Sequence, residues 1–146
     1  MRRLIAASVI MISVVLMGGL ITSARAQSGD LKPKLATSAD EIIGTWHTGG
    51  CVSHNCYVRF EKEGIYREAG SPDLLDTAPH GVSSYRFNGT EMAVSEVSIV
   101  RGLPSCSKTI GRYQVQLLEG GNVRIVLIED PCTRAANLAA EYKPGR

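Results

Sequence analysis

The sequence predicts an all-β protein, an antiparallel up-and-down barrel of seven to eight strands with a short C-terminal helix. Two observations support this fold class. Short segments alternate apolar with polar residues, and turn-forming residues separate the segments so that consecutive hairpins share one apolar face. The chain has 146 residues, which is enough for one domain with a single core.

Seven segments carry the alternating pattern, and an eighth, over 141–143, is expected to close the sheet. The clearest hairpin surrounds Asn88-Gly89, the dipeptide that a type I′ turn prefers. Asp130-Pro131 is typical of a helix start, because an N-cap is followed by proline at the first helical position, and a helix is expected over 132–139. The seven strands are expected at 43–48, 56–61, 65–69, 85–87, 91–99, 109–117 and 123–129.

The first 26 residues have the features of a secretory signal peptide. Two arginines precede a long apolar run, which ends at the small-x-small site Ala24-Arg25-Ala26. We therefore expect a periplasmic or secreted protein with a flexible N-terminal segment over 27–40 and a barrel domain over 41–146. An uncleaved membrane anchor is the alternative, although the apolar run is about as short as a spanning helix can be.

The charge of the exported part differs from that of the whole chain. The full sequence has 16 basic and 14 acidic residues, a net charge of +2. Cleavage would remove Arg2, Arg3 and Arg25, which leaves 13 basic residues and a net charge of −1. Because no basic run remains, nucleic acid is not expected as a partner.

Four cysteines in an exported chain are expected to form two disulfides. Three pairings are possible, and we favour Cys51 with Cys56 and Cys106 with Cys132. The alternative is a zinc site that includes Cys51, His54 and Cys56. This stretch offers three ligands where zinc takes four, and export disfavours free thiolates, so no metal or cofactor is expected.

The expected hairpins determine which side chains share the interior. A turn over 61–64 pairs Val58 with Arg67, so both would face inward. The same alternation places Glu96 inward on the long strand. The interior is therefore expected to be apolar, with two charged exceptions.

An inward Arg67 could bind an anionic or carbonyl group of a ligand, with Tyr85 and Tyr113 on the barrel wall. Two other interpretations stay open. The two charges could lie at the rim or be turned outward by a bulge, or they could pair with each other. The candidate ligand-binding residues are Arg67, Tyr85, Glu96 and Tyr113.

No sequence motif for catalysis is present. The histidines lack helical spacing, and there is no phosphate loop, dinucleotide fingerprint or Gly-x-Ser-x-Gly. The longest connection inside the domain, 71–81, is either a lid over the barrel mouth or a surface loop.

Gly44-Thr45-Trp46 on the first strand, the succession of hairpins and Arg134 near the C-terminus resemble the lipocalin-type calycin barrel, and especially small exported bacterial lipocalin-like domains. In lipocalins a late arginine packs across the tryptophan at the base of the barrel. The resemblance implies a structural cation–π pair between Trp46 and Arg134. The chain departs from the family in lacking Thr-Asp-x-x-Tyr, and it is shorter than most lipocalins.

The leading functional expectation is a non-catalytic barrel that binds a small apolar or amphipathic ligand. The alternative is an inhibitor of an exported protease or lysozyme, because 41–60 resembles the start of lipocalin-like metalloprotease inhibitors. In those proteins the N-terminal segment enters the protease cleft, and here that segment would be 27–39. A third possibility is a barrel-type isomerase or cyclase, which would need Arg67 and Glu96 to converge inside.

Overall fold

In the described part of the chain, nine antiparallel strands form one sheet that closes into a barrel. A computed structural model of the protein describes residues 32–49, 56–99, 105–132 and 134–145. Two short helices, α1 (Leu74–Thr77) and α2 (Arg134–Leu138), accompany the strands. The strands are β1 (Lys34–Leu35), β2 (Gly44–Thr48), β3 (Cys56–Phe60), β4 (Ile65–Ala69), β5 (Gly81–Asn88), β6 (Glu91–Ile99), β7 (Ile110–Leu117), β8 (Val123–Glu129) and β9 (Glu141–Pro144).

Eight of the strands complete the ring, in the order β7-β6-β5-β4-β3-β2-β9-β8, and β8 pairs with β7 again. Closure depends on the short strand β9. It pairs with β2 through Trp46 and Pro144, and with β8 through Val123 and Tyr142. The predicted fold class is confirmed, and each predicted strand is present.

The N-terminal segment is attached to the barrel from Lys34 onward. β1 pairs with the end of β7 that extends past β6, and the backbone N–H of Ala36 donates to the carbonyl of Val115 at 2.8 Å. A 3-10 turn at Ala39–Glu41 follows. From Lys34 onward the segment predicted to be flexible, 27–40, is paired with β7 and contains the buried Ala36.

One end of the barrel, which we call the base, surrounds the β3–β4 and β5–β6 turns and is filled with apolar and aromatic side chains. Phe60 lies there in edge contact with Tyr85, with their ring centroids 5.1 Å apart. The Tyr85 hydroxyl donates to the Glu61 carbonyl at 2.8 Å, and burial raises the pKa of this phenol to about 12. Other buried side chains of the core are Ile42, Val58, Met92, Val94, Val115, Val123 and Ile125.

The β3–β4 hairpin has a register one residue away from the predicted one. The loop consists of residues 62–64, because Gly64 adopts a left-handed φ of 74° and the N–H of Glu61 donates to Ile65. A three-residue loop that ends in a left-handed glycine is a common hairpin connection. Arg67 consequently pairs with Arg59 on the outer face, and Glu68 takes the inward position. The prediction of an inward Arg67 is wrong.

The turn of the β5–β6 hairpin lies one residue later than predicted. Asn88 pairs with Glu91, so the turn residues are Gly89 and Thr90, with Gly89 at a φ of 60°. A turn at Asn88-Gly89 would pair Tyr85 with Met92, whereas Tyr85 pairs with Val94, a shift of two residues. Because side chains alternate with a period of two, this shift leaves the inward residues of both strands unchanged.

The connection over 71–81 packs on the outside of the barrel. α1 contacts β3 and β4, and its Asp76 accepts a hydrogen bond from the outward-facing Arg59 at 2.6 Å. Leu75 is fully buried, so the helix covers part of the barrel wall. This position fits the surface-loop interpretation. Among the helices formed by described residues, none is long and apolar enough to cross a bilayer.

The first prediction concerns Glu41, which anchors the N-terminal segment. The hydrogen bond from Lys34, at 2.7 Å, and that from the backbone of Thr37 lower the pKa of Glu41 from 4.5 to about 2. Because the folded-state pKa is lowered, the stabilisation is complete above pH 4.5 and is lost as the pH falls through about 2. An NMR titration of the Glu41 carboxyl should give that midpoint.

Lys34→Met is the matched variant for this titration, because it removes the largest cause of the pKa shift and leaves the Thr37 hydrogen bond. The midpoint of Glu41 should move towards 4.5 in this variant. A midpoint near 4.5 in the unmodified protein would show that the segment is not held in this way.

Candidate functional site

The end of the barrel opposite the base, which we call the polar end, is where inward-facing side chains meet solvent. Along β8 the inward residues change from Ile125, which is 2% exposed, to Leu127, which is 43% exposed. Along β6 they change from the buried Val94 to the half-buried Glu96. The inward-facing side chains are therefore fully buried towards the base and partly exposed at the polar end.

A buried carboxylate organises the polar end. The side chain of Asp130 is 0% exposed, and its Oδ2 accepts hydrogen bonds from the Tyr113 hydroxyl and, at 2.8 Å, from Nε of Arg134. Its Oδ1 accepts from the backbone N–H of Cys132 at 2.9 Å. Three parts of the chain thus meet at this one carboxylate: β7, the β8–α2 connection and α2.

Gly111 makes room for the carboxylate. It pairs with the inward-facing Val94, so a side chain at position 111 would point into the barrel. A Cβ there would lie 2.8 Å from Cγ of Asp130 and 2.7 Å from the ring of Tyr113, both too close. Glycine is therefore required at this position for packing rather than for its backbone angles.

The electrostatics of the cluster keep the pair ionised. Burial by itself raises the pKa of Asp130, but the hydrogen bonds from Arg134, Tyr113 and Cys132 outweigh it, so the pKa is lowered from 3.8. Burial likewise lowers the pKa of Arg134, and its contacts with Asp130 and Tyr113 raise it by more. Burial and the adjacent carboxylate raise the pKa of Tyr113, so the phenol stays protonated and donates.

One nitrogen of the Arg134 guanidinium has no hydrogen-bond partner among the described residues. Nε donates to Asp130, and Nη2 donates to the carbonyl of Thr109 at 3.4 Å. Nη1 is buried and makes no hydrogen bond in the part of the chain that the structure describes. Because the Arg134 side chain is only 8% exposed, the N–H donors of this nitrogen are enclosed by the protein and unsatisfied.

A disulfide holds the segments around Arg134 together. Cys106 and Cys132 are bonded, with a Cα–Cα distance of 5.9 Å and a separation of 26 residues, as predicted. The inward carboxylate of Glu96 accepts from the backbone N–H of Cys106 at 2.7 Å and from the hydroxyl of Ser105 at 2.6 Å. Cys106 and Thr109 lie in the same short segment, so these contacts also position the carbonyl that Arg134 binds.

A second polar group lies further inside, on β4 and β9. The hydroxyl of Tyr66 donates to Glu68 at 2.8 Å, and burial together with the charge of Glu68 raises the pKa of Tyr66. The hydroxyl of Tyr142 donates to the carbonyl of Leu138 at 3.0 Å. The interior thus combines an apolar base with hydroxyl and carboxylate groups towards the polar end.

The structure separates the four predicted ligand-binding residues. Arg67 lies on the outer face, where its Nε donates to Glu61 at 2.7 Å. Tyr85 is inside but belongs to the base. Glu96 and Tyr113 do face inward at the polar end, as predicted, and Arg134 is the arginine that accompanies them. Arg67 and Glu96 therefore do not converge, and the alternative of a mutual ion pair is wrong as well.

The predicted partnership of Trp46 with Arg134 is not found among the contacts of the described residues. The indole N–H of Trp46 donates to the carbonyl of Ile42 at 2.8 Å, at the base. The contacts of Arg134 are with Asp130 and Thr109, at the polar end. The structural role of Arg134 is therefore to pair with Asp130.

Sequence reasoning missed Asp130, Gly111 and Glu68 as interior residues. Asp130 was interpreted as a helix cap, although its separation of four residues from Arg134 could have indicated an ion pair. Gly111 inside a strand was a usable indication of close approach by another group. Nothing local indicated Glu68, because its orientation follows from the hairpin register.

The metal interpretation of the cysteine-rich stretch receives no support from the described residues. Cys56 is disulfide-bonded, while its predicted partner Cys51 and the neighbouring His54 lie outside the described residues. Within the described ranges, no group of three or more His, Cys, Asp or Glu side chains could hold a metal ion.

Comparison of the chain with protein-family models, with curated proteins and with solved structures finds no match.

The second prediction tests the fit of Gly111. Gly111→Ala should lower the free energy of unfolding by about 1–3 kcal/mol, because the added methyl overlaps the Asp130 carboxylate. Gly49→Ala is the matched control, since a Cβ at position 49 meets no atom within 4 Å. Urea unfolding under oxidising conditions measures both changes, and equal stabilities of the two variants would contradict the described packing.

The third prediction tests the buried ion pair by a double-mutant cycle. Arg134→Met should lower the free energy of unfolding by about 3–5 kcal/mol, because it leaves the charge of Asp130 buried and unpaired. Asp130→Asn combined with Arg134→Met should cost less than the sum of the two single changes, by at least about 1 kcal/mol. Additive losses in urea unfolding would show that the two side chains do not interact.

Proposed function

We propose that the protein is a non-catalytic binding barrel that holds a small amphipathic molecule inside, with its polar group at Nη1 of Arg134. The observation that carries this proposal is the buried donor. An N–H group without a partner in a buried site costs about 1–3 kcal/mol, and a ligand that displaces the side chains enclosing Nη1 and accepts its hydrogen bonds would recover that cost. The interior of an eight-stranded barrel is either filled by side chains or holds one small ligand.

The distribution of polarity in the interior supports an amphipathic ligand. The base is lined by Phe60, Met92 and Val115, which offer no hydrogen bonds beyond their paired backbone groups. The polar end carries Arg134 and the exposed, inward-facing Leu127. A molecule that enters at the polar end would place its apolar part towards the base and its polar group beside Arg134.

The state of Asp130 favours binding over catalysis. A general base at neutral pH needs a pKa near 7 and an available lone pair directed at the substrate. Asp130 accepts three hydrogen bonds, and its pKa is lowered. The isomerase alternative has weaker support, since the convergence of Arg67 and Glu96 on which it depended is absent from the described residues.

Part of the N-terminal segment on which the inhibitor alternative depends is bound to the barrel. Insertion into a protease cleft would use residues 27–39, but Lys34, Leu35 and Ala36 are bound to β7. The closed barrel fits the proposed likeness to lipocalin-like domains, and the Cys106–Cys132 disulfide fits an oxidising, exported location.

The fourth prediction is that protein purified from the periplasm carries a bound small molecule, seen as added mass in native mass spectrometry and released on denaturation. Arg134→Lys should lose this species and stay folded, because lysine keeps the charge beside Asp130 but lacks the guanidinium fork. Arg67→Lys is the matched control on the outer face and should retain it.

Two outcomes would contradict the proposed function. One is an unmodified protein that has no added mass and binds no apolar or amphipathic probe. The other is a bound species that survives Arg134→Lys unchanged, since it would then be held elsewhere.

A further inference from the structure

We propose that the outer side of β4 to β7 is an interface at which two copies of this chain associate about a two-fold axis. We call this surface the β6 face. Three features of the β6 face support the proposal: a groove, an exposed apolar side chain beside the groove, and a balance of the charges around both. The residues that form the face are Ile65, Ser84, Ala93, Ser95, Val97 and Ile110.

The groove lies on the outside of the barrel between two isoleucines. The registers of β4 to β7 align one residue of each strand in a single outward row, which consists of Ile65, Ser84, Ser95 and Ile110. The two serines and Ala93 are small and form the floor, and the isoleucines form the walls of a space of about 330 Å³. Ile110 is 54% exposed, so an apolar wall of the groove is open to contact from outside.

Val97 protrudes beside this groove. It lies two residues beyond Ser95 on β6, where the pairing with β5 shifts by one residue and leaves Val97 as the extra residue of a β-bulge. At 62% it is the most exposed of the large apolar side chains in the described part of the chain. A single exposed valine is ordinary, but here it adjoins a groove with apolar walls on the same face.

A protruding side chain and a groove on one face make the face self-complementary. A two-fold axis that lies in the plane of the β6 face and crosses β6 between Val97 and Ser95 would place Val97 of each copy over the groove of the other. Two identical contacts would form at once, and each would remove a valine and the isoleucine walls from water. Within one molecule the two features cannot meet, because both face outward.

The charges that border the β6 face are equal in number in the described part of the chain. The face therefore has no net charge that would favour a nucleic acid, an anionic lipid surface or a strongly charged protein. Two copies of a face without net charge do not repel each other, so a second copy is the partner that these charges permit. The bordering residues are Glu61, Glu63, Glu91 and Glu129, and Arg67, Arg86, Lys108 and Arg112.

The fifth prediction is that the purified protein dimerises through the β6 face. Sedimentation equilibrium over a concentration series up to about 1 mM should show the mass rise from that of the monomer towards twice that value. Val97→Ser removes the protruding side chain, and Ser95→Ile fills the groove. Each variant should raise the dissociation constant by at least about tenfold, because the symmetry removes both contacts together.

Ile43→Ser is the matched control for these variants. Ile43 is 42% exposed and precedes β2, outside the β6 face, so its replacement should leave the dissociation constant unchanged. All three substituted positions are at least partly exposed. Circular dichroism should therefore show that each variant is folded.

A mixture of the two interface variants gives the sharpest test. Ser95→Ile keeps the protruding valine, and Val97→Ser keeps the open groove, so one of the two contacts can form only between the different variants. At equal total concentration the mixture should contain more dimer than either variant alone. Native mass spectrometry can identify the mixed dimer, because the two variants differ in mass.

Three results would overturn the proposal. One is a mass that stays at that of the monomer over the whole series. Another is a dimer that both interface variants leave unchanged, or that Ile43→Ser weakens equally, because a different surface would then form it. The third is a mixture with no more dimer than the separate variants, since the valine and the groove would then not meet.

Discussion

Closure of the barrel depends on β9, a strand of four residues that hydrogen-bonds to two strands from opposite ends of the sequence. Without this strand β2 and β8 would each leave an edge with unpaired backbone groups. Closure commits alternate residues of every strand to one enclosed interior. Tyr142 on β9 is fully buried in this interior. β9 therefore completes the wall of the barrel and also fills part of the space behind it.

The polar end depends in turn on a single carboxylate. Asp130 receives donors from β7, from the backbone after β8 and from α2, and the Cys106–Cys132 disulfide binds the same region covalently. A buried ion pair of this kind contributes little net stability compared with apolar packing, because desolvation offsets the attraction. Its stronger consequence is positional, because α2 must lie where Arg134 meets Asp130.

That position creates the feature on which the functional argument rests. A guanidinium has five N–H donors, and a carboxylate together with one carbonyl satisfies only part of them. In a site built for stability alone, a further carbonyl or hydroxyl would accept from Nη1. Here Nη1 is enclosed by the protein without an acceptor among the described residues.

The sequence by itself determined the strands, most of their bounds and the inward faces of β6, β7 and β8, because the alternation of apolar residues is local. It also favoured the Cys106–Cys132 pairing among three possibilities, and the structure has this bond. Only the tertiary structure decided the registers, the docking of β1 and the partner of Arg134. One left-handed glycine at position 64 shifted a hairpin by one residue and moved Arg67 outside, and barrel closure brought Gly111, Asp130 and Arg134 together. These outcomes depend on loop conformation and on contacts between distant segments. The apolar periodicity of a single strand carries no information about either.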